Sequence, residues 1–322
     1  MTADQPALIG SSGDSLREAF GRSLVSLAEK DQRFVVLDAD VAGGTGTHHF
    51  REAYPQRFIQ VGIAEQNMMS MAAGLARVGL VPFVTTFAVF CLRALEQARL
   101  SLAYSCANVK IVASHPGLDV GPDGASAQAL EDLAAFRAIP NMVVLSPADA
   151  HEVELATAAI LAHSGPVYMR SGRSPAPRVL PEDYHFEIGR GQVLHDGGDV
   201  TLVACGVQVG RCLQAAKILE QKGVKARVIN MASLKPLDHD LLERCAVETG
   251  AMVVSEDHNV IGGLGGAVAE SLARSRPVPL EFAGVQDCFG ESGEPDELAE
   301  RYGLTPPHLV EAALKVVARK RG

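Results

Sequence analysis

The chain has no CxxC pair. Its six cysteines (Cys91, Cys106, Cys205, Cys212, Cys245 and Cys288) are scattered along 322 residues, so they read as buried thiols of a reducing compartment rather than as a disulfide framework. No apolar run approaches the roughly 18 residues that a membrane helix needs, and Met1 to Gly10 shows no basic stretch followed by an apolar one. The expectation is a cytoplasmic protein with no membrane contact. Dense Lys/Arg runs are missing except at Arg319, Lys320 and Arg321, and 29 basic against 38 acidic residues give a formal charge of −9. That balance argues against nucleic acid as a partner. No internal repeat or low-complexity tract interrupts the chain.

What is present is ordinary globular sequence, 47% hydrophobic and 21% charged, at a length that favours two domains over one. Short β-branched runs (Phe34–Leu37, Val81–Phe87, Val109–Ala113, Met142–Leu145, Val167–Met169) alternate with helix-period segments. The alternation predicts α/β architecture with a mainly parallel sheet. Leu16, Ala19, Phe20, Leu24 and Leu27 follow Ser15 and Glu18, a capping-box pattern that opens a helix. Val153, Ala156, Ile160 and Leu161 mark another helix face. The stretch SGRSPAPRVLPED, 171 to 183, holds three prolines and no period, which suits an extended linker. Strand runs resume at Val200–Ala204, Ala226–Asn230 and Ala251–Ser255. The expected organisation is two doubly wound α/β domains, residues 10–175 and a smaller one at 186–322.

The segment RFIQVGIAEQNMMSMAAGLA, 57 to 76, reads as a strand ending at Gly62 and a helix opening near Ala64. Glu65 then stands at a strand's carboxyl end, where open α/β sheets place ligands. A plain helix-terminus acid is the competing reading. Further on come TTFAVF at 85 to 90, SHPGLDVGPDG at 114 to 124, LEDLAAFRAIPN at 130 to 141 and MRSGR at 169 to 173. Their order and spacing resemble the pyrimidine-binding domain of transketolase, and ASLKPLD at 232 to 238 with VVSEDHNVIGGLGGAVAE at 253 to 270 resemble its C-terminal domain. The resemblance covers the chain from about residue 14 onward.

That resemblance implies thiamine diphosphate as cofactor, with only its pyrimidine side held here. Glu65 would hydrogen-bond a ring nitrogen of the aminopyrimidine and favour its imino tautomer. Phe87 and Phe90 would form the aromatic wall beside that ring, and Asp40 is carried over as a further cofactor-binding residue. His115 would contact the sugar near its reacting carbonyl, as a catalytic and substrate-binding residue. Asp123 would recognise a sugar hydroxyl, although an Asp-Gly turn is the plain alternative. Arg17 and Arg173 would hold the substrate's phosphate with their planar forks. Glu256, Asp257 and His258 resemble the family's EDH segment and read as structural or interfacial.

Two departures fall at the substrate's far end. Gly44 stands where the family has a serine, a hydroxyl that Gly44→Ser would put back. Ala127, followed by Gln128 as the substrate-binding candidate there, stands where many members have His or Gln. A modified or sulfonated sugar fits as well as a phosphorylated one. The family's GDG motif, which holds the diphosphate and its Mg2+ or Ca2+, is absent. The expectation is therefore an N-terminal-half partner subunit carrying that motif, a heterotetramer, and transfer of a two-carbon ketol unit from a ketose to an aldose. A 2-oxoacid dehydrogenase β subunit and a non-catalytic scaffold are the alternatives.

Overall fold

In the computed structural model, residues 13–321 are described, without the side chain of Arg321. Residues 10–12 at the start of the expected first domain, Gly322 at the end of the second, and the stretch Met1 to Gly10 lie outside the described residues. In chain order the first half runs β1 (Asp14–Ser15), α1 (Leu16–Ala28), β2 (Phe34–Asp38), α2 (Ala42–Thr45), α3 (His48–Ala53), β3 (Phe58–Gln60), α4 (Glu65–Arg77), β4 (Val81–Phe87), β5 (Lys110–Ser114), β6 (Val143–Leu145), β7 (Val167–Ser171) and β8 (Pro175–Ala176). The second half carries β9 (Gln192–His195), β10 (Val200–Ala204), β11 (Ala226–Asn230), β12 (Ser233–Lys235), β13 (Met252–Asn259) and β14 (Leu280–Val285).

A seven-stranded sheet has the order β12-β6-β7-β5-β4-β2-β3, and every pair in it is parallel except β12 with β6. A five-stranded sheet, β14-β13-β10-β11-β9, is parallel except at β9. The architecture is thus α/β, with a mainly parallel seven-strand sheet and a second, smaller one. Parallel strands covered by helices on both faces need apolar residues on both sides, and β5, β7, β10 and β11 are buried along their whole length.

The structure departs from the sequence reading, or adds to it, in four places. The edge strand β12 of the first sheet comes from beyond the linker, so the two halves share a sheet. The extended proline-rich stretch is, beyond that reading, fastened to the fold: Asp149 accepts the backbone N–H of Val179 and Leu180, and Leu180 and Tyr184 are buried. The capping box at α1 does not form. Ser15 lies in β1, paired with β8, and its hydroxyl donates to the Arg173 carbonyl, while Glu18 meets His49 instead of the helix terminus. Finally, Cys106 and Cys288 are exposed, and only the other four cysteines are buried. No described helix is long and apolar enough to cross a membrane.

The halves are locked by buried polar contacts. Asp257 accepts the N–H groups of Leu118 and Asp119, while Arg170 pairs with Asp132 and donates to the Asp257 carbonyl. Glu152 accepts from Tyr184 and from Asn230 of β11. One apolar cluster is continuous from Val84 and Ile111 to Val203 and Ile229.

Candidate active site

Parallel pairing brings the carboxyl ends of β2, β3, β4, β5 and β7 to one edge. The loops that follow carry Asp40, Glu65, Phe87, Phe90, His115, Asp123 and Arg173. Ligands of open parallel sheets sit at such an edge. Glu65 is the first residue of α4 and only 4% exposed, and Arg93 Nε lies 3.6 Å from its Oε2. Phe87 ends β4, and Phe90 follows one helical turn later with its ring parallel, 5.4 Å away at 11°.

The other face of Phe87 lies on His115, with centroids 3.8 Å apart. His115 follows β5 in a left-handed conformation, φ 57°, and is buried. Its Nδ1 is 2.9 Å from the Ser114 hydroxyl. Burial, and then the charges of Arg17 and Arg173, push its pKa down to about 3, so the ring is neutral near pH 7. A neutral imidazole can either donate or accept a hydrogen bond, whereas an imidazolium only donates.

The same electrostatics place both arginines beside His115. Arg17, second in α1, donates from Nη1 to the Gly44 carbonyl at 3.3 Å. Arg173 donates to the Val120 carbonyl, and its Nη2 is 3.7 Å from Asp123 Oδ1. Asp40 is exposed at φ 69°, with Gln60 donating to its carboxylate. Gln128 stands apart. It is buried, its amide donates to the carbonyls of Gly121 and Glu291, and its Oε1 has no partner among the described residues.

Gly44 also has a packing role that the sequence does not show. A Cβ on Gly44 would lie 2.5 and 2.6 Å from two atoms of the Phe87 ring and 3.6 Å from His115. The bare backbone is what lets Phe87 lie over His115. A serine cannot be put back without moving that ring.

Two residues went unnoticed in the sequence. Buried Asp38 accepts the Val41 N–H and Gln60, and the hydroxyls of Thr45, Thr47 and Thr85 converge on its other oxygen. Burial holds its pKa up despite these bonds. It shapes the 39–47 loop on which Gly44 sits, and an acid ending an apolar strand before a small-residue loop was the available signal. Arg93 had none, because nothing local links it to Glu65.

Residues 13–178 match the family model "Transketolase, pyrimidine binding domain", and residues 189–309 match "Transketolase, C-terminal domain". The chain belongs to the transketolase family. It is 44% identical over 306 residues to the 6-deoxy-6-sulfo-D-fructose transketolase subunit SqwH of Clostridium sp. (strain MSTE9), covering 95% of each. A putative transketolase C-terminal section of Methanocaldococcus jannaschii is 44% identical, over 90% of this chain and 92% of that one. A solved structure, "Split gene transketolase, inactive beta4 tetramer", superposes with a TM-score of 0.90 at 50% identity, covering 96% of this chain and all of that one. The transketolase pyrimidine-binding domain implies thiamine diphosphate, and thiamine-dependent ketol transfer is the general activity of the family.

Proposed function

We propose that this chain is the C-terminal subunit of a split transketolase and transfers a two-carbon ketol unit from a ketose to an aldose. A second chain would hold the diphosphate of the cofactor and its Mg2+ or Ca2+, two copies of each forming a heterotetramer. Relatives of matching length that are named as a subunit, as a C-terminal section and as a split-gene product support that division of labour. The observation that carries the reading is the convergence at one sheet edge of a buried acid, a parallel phenylalanine pair, a neutral histidine and two arginines.

These residues fit the pyrimidine half of the cofactor. With Phe87 stacked between His115 and Phe90, the outer side of the Phe90 ring offers an apolar face for a flat heterocycle. Glu65, buried at the same sheet edge, offers a carboxyl that can share a proton with a ring nitrogen. Asp40, on the loop after β2, would add a carboxylate from the same sheet edge. Thiamine diphosphate, when bound, supplies the electron sink that makes the carbon–carbon bond beside a ketose carbonyl breakable.

The remaining work falls to the protein. Arg93 must leave the Glu65 carboxylate for the acid to face the ring. His115, kept neutral, can hydrogen-bond the substrate oxygen near the reacting carbon, donating or accepting as the proton inventory changes. Arg17 and Arg173 make the far end of the pocket an anion site, for a phosphate or a sulfonate. Asp123, held towards Arg173, can accept from a sugar hydroxyl, and Gln128 braces the loop that carries it.

The test is to co-purify the chain with an N-terminal-half transketolase carrying GDG and assay ketol transfer from phosphorylated and sulfonated ketoses, beside pyruvate oxidation. Ketol transfer from an anionic ketose is expected. Pyruvate oxidation without ketol transfer would replace this reading with the dehydrogenase one.

A further inference from the structure

Glu18 of α1 and His48 and His49 of α3 form a second cluster beside Arg17, with no part in the proposed reaction. His49 Nε2 is 2.8 Å and His48 Nε2 4.0 Å from the same Glu18 oxygen, Oε2. One donor atom from each of the three residues falls within 4.8 Å of the others. The side chains are 26%, 28% and 33% exposed, so an ion has access but the carboxylate is partly desolvated. The His48 side chain makes no hydrogen bond among the described residues, and its Nδ1 is buried without a partner. A tilted contact with the His49 ring, centroids 4.0 Å apart at 36°, is its visible support.

The backbone beneath is fixed by two glycines. A Cβ on Gly21 would sit 2.0 Å from the Gly46 carbonyl oxygen, and one on Gly46, at φ 75°, would sit 2.1 Å from the Arg17 carbonyl oxygen. Only bare backbone allows α1 and the turn into α3 to approach so closely. That approach sets Glu18 against the two histidines and preorganises the cluster.

We propose that Glu18, His48 and His49 form a binding site for a divalent transition-metal ion of the zinc class. Two imidazoles and one carboxylate are a zinc donor set with a fourth position left open, and they are a poor match for the all-oxygen preference of Mg2+ and Ca2+. Bonds of about 2.0–2.1 Å in a tetrahedron put neighbouring donor atoms about 3.3 Å apart. The observed 2.8 and 4.0 Å straddle that spacing. Binding requires the two tilted rings to shift until the donor spacings even out, which partly exposed side chains can do by rotamer adjustment.

The test uses the full chain, freed of any affinity tag and stripped with a chelator, titrated with Zn2+ by calorimetry and with Co2+ by visible absorption. One equivalent per chain is expected, with Co2+ giving the bands of low-coordinate N/O ligation. Glu18→Gln and His49→Ala should each weaken binding by at least the roughly 10- to 100-fold that even an outer-sphere partner is worth. X-ray absorption on the zinc-loaded wild-type chain gives a reading that depends on no variant, and should show imidazole and carboxylate with no sulfur. Absence of saturable one-to-one binding overturns the proposal. So does sulfur in the coordination shell, which would point to Cys106 or Cys288, or binding unchanged in folded His48→Ala/His49→Ala.

Discussion

The carboxyl edges of the two parallel sheets carry the same residue types to opposite ends. At the second sheet, β13 ends in Glu256, Asp257 and His258, and each is fully engaged. Glu256 accepts the N–H groups of Leu264 and Gly265, and Asp257 those of Leu118 and Asp119. His258 uses Nδ1 on the Asn259 carbonyl and Nε2 on the Ala134 N–H. At the first sheet, among the described residues, Glu65 has only an exposed arginine at 3.6 Å, and His115 has one hydroxyl and a stacked ring. An acid or histidine at a strand's end becomes available to a ligand when the fold leaves its hydrogen-bonding capacity open. Residue type and topology alone do not separate the two edges.

The comparison breaks if the wrong edge controls chemistry. Glu65→Gln should cut turnover of the assembled enzyme by about 10²- to 10⁴-fold, the cost of a lost proton-transfer group, with the melting temperature unchanged. Near-normal turnover at saturating cofactor would show that another group serves the pyrimidine. Gly44→Ser sharpens the comparison from the packing side. Forcing Phe87 aside should cost about 1–3 kcal/mol, or roughly one to two decades in cofactor affinity, and binding titrations that show no loss would mean the ring yields freely.

Glu256→Gln is the mirror experiment. Losing a carboxylate that holds two backbone donors should lower stability by about 1.5–3 kcal/mol in denaturant unfolding, while turnover stays normal. The smallest effect is a pH slope at the seam between the halves. Burial, against bonds from Tyr184, Ala148 and Asn230 and with the Asp149 charge adding to it, raises Glu152 to about 7. The folded state then holds a proton that the unfolded chain releases above about pH 4.5. This contribution is complete below that pH and is lost as pH rises towards 7. Melting curves of wild type and Glu152→Gln should therefore converge in slope at low pH and diverge across that window, and parallel curves throughout would refute it.

Much of the architecture was legible in the sequence. Val81–Phe87, Val200–Ala204 and Ala226–Asn230 are strands with the expected bounds, because short runs rich in β-branched residues between turn segments mark strands. The placement of Glu65 and His115 after parallel strands was legible for the same reason. What escaped was set by distant contacts. The pairing of Ser233–Lys235 with β6, the diversion of Ser15 and Glu18 from their helix terminus, and the Phe87 ring over Gly44 all join segments far apart in the chain. Arg93 beside Glu65 belongs with them. Asp38 could have been singled out, since its neighbours in sequence are the loop that it holds.

The central claim is that this chain supplies one wall of a cofactor site completed by another chain. The direct measurement is a thiamine diphosphate titration in the presence of Mg2+, by calorimetry, of the purified chain alone and of the chain mixed with its GDG-bearing partner. The account predicts no saturable binding by the chain alone and one cofactor per pair once the partner is added. Tight, stoichiometric binding by the isolated chain would contradict it.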